Sequence, residues 1–248
     1  MLNSKVKISF AVAVGAILGV GAASAADLPA RTYTKAPVVV PPAIYNWTGF
    51  YIGANGGGGW GRTDWQFNVV NTFANHHTSG GLAGGQIGYN WQTGAWVLGV
   101  EADGDWANIK GSTLCPNPAF VCASNTRDLA SFRGRVGYAA GPVLFYGTGG
   151  LGYANTAYSA LTGGVPGALS TGFYSSDRWG YAAGAGIEWG FAPNWSAKIE
   201  YMHYGFDSVT APPATLGVNS AALGLNIDTV KVGVNYRFNW GAPVVARY

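Results

Sequence analysis

Residues 230–238 read Val-Lys-Val-Gly-Val-Asn-Tyr-Arg-Phe, an unbroken alternation. Val230, Val232, Val234, Tyr236 and Phe238 are apolar, and Lys231, Gly233, Asn235 and Arg237 between them are not. Successive side chains of a β-strand point to opposite faces, so this segment predicts one greasy face and one polar, cationic face. Tyr236 and Phe238 close the greasy face at its end, where a membrane-crossing strand carries rings for the headgroup boundary. Taken alone, the stretch fits the edge of a soluble sandwich equally well.

The remaining segments favour the membrane. Strands are predicted over about 49–61, 81–91, 95–106, 129–139, 143–154, 179–189, 195–206 and 226–238, eight in all. Long polar stretches at 62–80, 107–128, 155–178 and 207–225 alternate with tight links at 92–94, 140–142 and 190–194. Sorting of connections by parity is the signature of a transmembrane barrel with long outer loops and short inner turns. Most faces agree: Phe132 and Val136 alternate with Arg133 and Arg135, and Ile187 and Trp189 with Glu188. The first and fifth strands stay unassigned, because Phe50-Tyr51 and Leu144-Phe145-Tyr146 put large residues on both faces. The expected fold is an all-β, eight-stranded antiparallel up-and-down transmembrane barrel over 47–238.

Composition points the same way. Of 248 residues only 10% are charged, against about 25% in ordinary soluble domains, while glycine numbers 39 and aromatics reach 14%. The net charge of +3 is small and dispersed, which gives no case for nucleic acid as a partner. Residues 1–25 read as an export signal: Lys5 and Lys7, an apolar run over 8–20, then Ala23-Ser24-Ala25. Residues 26–46 hold Pro29, Pro37, Pro41 and Pro42 and read as an extended periplasmic linker. Cys115 and Cys122, the two cysteines, are expected to form a disulfide closing a small loop in an oxidising compartment.

The inward faces carry acids Glu101, Asp103, Asp105, Glu188 and Glu200 and bases Arg133, Arg135, Lys198, Lys231 and Arg237. An eight-stranded barrel has room inside for side chains and little else, so these charges are expected to pair as a lumen network. Neighbouring strands would set the third-strand acids beside Arg133 and Arg135, and Lys198 and Glu200 beside Lys231 and Arg237. Trp91, Trp96, Tyr138, Trp189, Trp195, Tyr236 and Phe238 gather at the short-turn end as an aromatic girdle. Glu101 and Asp103 share a face as a general acid and base would, but the cations opposite favour a structural role.

Other motifs carry little. Gly147 to Gly152 matches G-x-G-x-x-G by letter without the helix that a dinucleotide site needs. His76 and His77 lie in the first long polar stretch and His203 in the seventh strand; solvated histidines are the expectation, and neither a metal site nor a catalytic constellation is assigned.

The leader ending Ala23-Ser24-Ala25-Ala26-Asp27-Leu28-Pro29, the opening Trp47-Thr48-Gly49-Phe50-Tyr51-Ile52-Gly53 and the closing Gly233-Val234-Asn235-Tyr236-Arg237-Phe238 resemble the small immunogenic outer-membrane proteins of alphaproteobacteria, within the opacity-type porin family. The resemblance implies location in the outer membrane, contact with its lipid, and insertion by the barrel-assembly machinery. The assembly signal would be read at Gly233, Tyr236 and Phe238, or at Tyr248, since residues 239–248 extend past the closing Phe. It also implies a structural envelope role and contact of the long loops with host or surface ligands. A small-solute porin and a haem- or ligand-binding surface protein or adhesin are the alternatives. Some such relatives bind haem; no ligand motif carries over, so that reading rests on His76 and His77 alone. No cofactor and no enzymatic activity are expected, and eight strands can close as a monomer.

Overall fold

The computed structural model describes residues 45–67, 72–162, 170–212 and 221–238. The expected leader, the linker up to residue 44 and the extension at 239–248, Tyr248 included, lie outside the described residues. Eight strands run in chain order: β1 (Gly49–Phe67), β2 (Thr72–Thr93), β3 (Trp96–Leu114), β4 (Phe120–Ala140), β5 (Val143–Thr162), β6 (Ser170–Ala192), β7 (Trp195–Ala211) and β8 (Ala221–Phe238). Each pairs antiparallel with the next, and β8 returns to β1 to close the barrel. The closing register runs from Phe50 opposite Phe238 to Phe67 opposite Ala221. Closure leaves no edge strand, the condition for a sheet to sit in hydrocarbon.

Two of the short turns rest on glycines in the left-handed region, Gly94 at φ 60° and Gly141 at φ 62°. Only a residue without Cβ adopts that conformation at no cost. The turn between β6 and β7 is held by Asn194, whose Nδ2 donates to the Arg237 carbonyl at 2.9 Å.

The lower part of the barrel is inside-out. Phe132, Val232 and Ile187 are 59%, 58% and 44% exposed, whereas Arg133, Lys231 and Glu188 are buried against the axis. The strands left unassigned by sequence resolve the same way: Phe50, Ile52 and Phe145 face out, and Tyr51, Leu144 and Tyr146 face in.

The strands also run further than the sequence pattern suggests. Described residues within 62–80, 107–128, 155–178 and 207–225, read as long loops, are mostly strand. The physical reason is a reversal of polarity along each strand. In β1, Arg62 and Gln66 face out while Thr63, Trp65 and Phe67 face in. In β8 the buried apolar positions are Leu223, Leu225 and Ile227, odd numbers, before the outward apolar set becomes Val230, Val232 and Val234. Beyond that boundary the exterior meets water and the barrel packs like a soluble one. A search for one continuous greasy face therefore ends each strand too early.

At the opposite mouth, Tyr45 and Trp47 tuck beneath the barrel. Trp47 is buried with Val97, Leu144 and Tyr146. Its amide donates to Gln92 Oε1 at 2.7 Å. Tyr45 packs on Gly190, where a methyl group would collide with its ring. Tyr45 and Asn46, assigned by sequence to the linker, thus belong to the barrel body.

Candidate functional site: the charged lumen

Inward residues of β3, β4, β6, β7 and β8 converge on one buried ion cluster. Glu101 lies at its centre. It accepts from Arg133 Nη2 at 2.6 Å, Lys198 Nζ at 3.0 Å, Tyr51 Oη at 2.8 Å and Arg135 Nη1 at 3.4 Å. Arg133 also reaches Asp103 at 3.0 Å and Glu200 at 3.2 Å. Arg135 pairs with Glu188 at 2.7 Å. Lys231 bridges Asp103 at 2.6 Å and Asp105 at 3.0 Å. Ser131 donates to Asp103, and Glu188 accepts from Ser196 at 2.6 Å and Asn235 at 2.8 Å. Each charge is taken from water, so these added hydrogen bonds are what make the burial tolerable.

The pairing follows the expected neighbours and adds contacts across the axis. β3 and β4 do face each other, acids to arginines, and Glu200 stands opposite Lys231 in the β7–β8 register with Lys198 3.7 Å from it, but both lysines also reach across the axis to the acids of β3. Arg237 stands apart from the cluster. Its described partners are the Pro193 carbonyl at 2.9 Å and the rings of Tyr45 at 4.4 Å and Trp47 at 5.7 Å. It lies too near the turn end to meet the acids, so it caps the mouth instead.

Sequence reasoning missed the neutral members. Tyr51 Oη bonds Glu101, Tyr146 Oη bonds Glu200 at 2.9 Å, and the Arg135 guanidinium lies 4.0 Å from the Tyr146 ring. Both tyrosines lie on the two strands whose faces were unassigned. The inward glycines offered the signal: a methyl at Gly88 would collide with Tyr51, and one at Gly186 with Tyr146. Beside them Asn55, Gln86 and Asn235 form a chain of hydrogen bonds at 2.7 Å each.

Apolar layers close the cluster on both sides. Toward the turns lie Trp47, Val97, Leu144 and Tyr146. Toward the far end lie Leu82, Ile109, Leu129, Met202, Tyr204, Phe206 and Ile227.

Outside, Trp91, Trp96, Tyr138, Trp189, Trp195 and Phe238 are exposed at the turn end, with Tyr236 partly so. A second set, Trp60, Trp106 and Trp179, is exposed further along the strands. Phe50 and Trp60, Trp96 and Trp106, and Trp179 and Trp189 are each ten residues apart on β1, β3 and β6. At about 3.4 Å per residue and a tilt of ~40°, ten residues span roughly 25 Å, the height of the apolar band on outer-membrane barrels.

The chain matches the family described as "Outer membrane protein beta-barrel domain" over residues 11–238. It belongs to that family. Its relatives include the 31 kDa outer-membrane immunogenic protein of Brucella melitensis, 32% identical over 218 residues, covering 82% of this chain and 89% of the relative. The 22 kDa outer membrane protein of Rhizobium leguminosarum is 33% identical over 195 residues, covering 78% and 79%. Among solved structures, OprG of Pseudomonas aeruginosa aligns with a TM-score of 0.44 at 14% identity, covering 78% of this chain and 98% of that one.

As an outer-membrane barrel, the protein places its short turns in the periplasm, and the strands beyond Trp60, Trp106 and Trp179 stand outside the membrane. His76 and His77 lie in that outer region and face opposite ways. His76 is not solvated as expected: it is buried, with Nε2 2.7 Å from Ser124 Oγ. Burial holds its imidazole below the usual value of 6.5, with Asp64 opposing and His77 adding to the shift. Two histidines on opposite faces of a strand cannot ligate one haem iron together. His203, at the boundary, holds Asp228 at 2.7 Å. Cys115 and Cys122 are disulfide-bonded, with Cα atoms 5.3 Å apart.

Proposed function

We propose that this outer-membrane barrel is a structural and surface-interaction protein of the envelope rather than a pore or an enzyme. The observation that carries this reading is the ion cluster centred on Glu101 and Arg133, sealed between two apolar layers. A solute path would need continuous water where those side chains pack. The outer strands support the second half of the role. From Trp179 to Ser170, β6 continues nine residues past the outer aromatics. That is roughly 20 Å of ordered wall at about 3.3 Å per residue with strand tilt, a rigid platform for contacts outside the cell. The His76–Ser124 contact lacks the third member of a hydrolytic triad, because His76 Nδ1 has no partner to orient it. A monomer embedded in outer-membrane lipid suffices for this role. The test is a deletion strain: increased sensitivity to detergent and loss of surface binding, both restored by the full chain, support it. Unchanged envelope integrity together with slowed uptake of a small solute would overturn it.

A further inference from the structure

Above the apolar layer that seals the ion cluster, the lumen holds one more buried cation. Arg178 on β6 is 2% exposed and faces inward. Its Nη1 donates to the Leu223 carbonyl at 2.9 Å, and its guanidinium lies 5.2 Å from the Tyr158 ring. Nε and Nη2 have no hydrogen-bond partner. These two nitrogens form the edge of a guanidinium that takes two oxygens of a carboxylate or phosphate side by side. Trp65 packs edge-to-face on the same ring, at 5.7 Å between centroids, in an apolar cluster with Phe67 and Leu223.

Among the described residues no acid reaches this cation. The five lumen acids all belong to the ion cluster nearer the periplasm. Asp64, Asp128, Asp177, Asp207 and Asp228 face outward or are exposed. A buried guanidinium with no anion is costly, and so are donors left without acceptors. Both costs fall if an oxyanion occupies the free edge.

We infer that the Nε–Nη2 edge of Arg178, inside the outer part of the barrel, is a binding site for a small oxyanion, a phosphate or carboxylate group from the external medium. The site is separate from the structural role proposed above and does not depend on it.

The test uses the full mature chain folded in detergent, with folding verified by heat-dependent gel mobility. Unfolding temperature and calorimetric binding are followed against inorganic phosphate and against acetate, with chloride at matched ionic strength as control. Saturable binding and a raised unfolding temperature are expected with phosphate or acetate but not chloride. Arg178→Met should abolish the response, and Arg178→Lys, which keeps the charge without the fork, should weaken it about tenfold. Should Arg178→Met fail to fold, Arg178→Gln serves, predicting weaker binding in a folded barrel. The absence of saturable binding to either anion overturns the site, as does an equal response in the Arg178 variants. A phosphate response without an acetate response, or the reverse, assigns the anion class.

Discussion

Lys198 on β7 and Glu101 on β3 meet across the barrel axis, Nζ 3.0 Å from Oε1. These strands share no hydrogen-bonded edge. The contact therefore ties opposite walls through the space a channel would occupy, and Lys231 does the same from β8 to Asp103 and Asp105. The barrel is narrow enough for such side chains to touch across it.

Removing the centre of that cluster should be expensive. Glu101→Ala leaves Arg133, Arg135 and Lys198 without a shared partner, a loss of about 3–5 kcal/mol for breaking a buried ion pair. Tyr51→Phe, which deletes one hydrogen bond to the same carboxylate, should cost about 1.5–3 kcal/mol. Urea unfolding in lipid vesicles measures both, and the order of the two is the expectation to check.

The lipid face should respond to depth. Phe132 pairs with Ala102, between the Trp96 and Trp106 levels. Phe132→Lys should cost about 2–4 kcal/mol, as for cations at a bilayer midplane. Leu114→Lys, exposed on the outer stretch of the neighbouring strand, should stay within about 0.5 kcal/mol of wild type. The same unfolding assay compares them.

Acid should loosen the outer barrel through His76. Burial depresses its folded-state value below the ordinary 6.5, so the unfolded state binds the proton more readily. Stability contributed by neutral His76 is thus intact above pH 6.5 and falls as pH drops below it. Hydrogen exchange at Thr63 and Ser124 should accelerate below that pH in wild type, and His76→Gln should flatten the dependence.

Reduction of Cys115–Cys122 should act locally. The bridge spans a sequence separation of seven, for which loop-closure entropy gives about 2.5 kcal/mol. Reductant should raise hydrogen exchange around 112–124 while leaving the heat-dependent gel shift of the barrel unchanged.

Much of this molecule was legible from its residues, for a physical reason. Between the aromatic belts one face of every strand meets hydrocarbon, so Phe132 against Arg133 and Val232 against Lys231 display period two without ambiguity. The five acids and four of the five bases meet as one cluster because the narrow lumen leaves them nowhere else to go. The sequence reading failed where that contrast vanishes. Past Trp60 and Trp106 water replaces lipid, apolar residues turn inward, and strands resemble polar loops. Tyr51 and Tyr146 were missed because a tyrosine suits either face, and only the glycines opposite them decide. Arg178 and Arg237 share the cationic type of Arg133 and Arg135 but lie beyond reach of the acids, a distance that strand register reveals and composition does not.

The most direct measurement is single-channel recording of the purified, folded protein in a planar bilayer. With Glu101, Arg133, Lys198 and Lys231 packed across the axis, the bilayer should stay electrically silent apart from brief, small events. A steady, large conductance that scales with the number of inserted barrels would contradict the filled lumen.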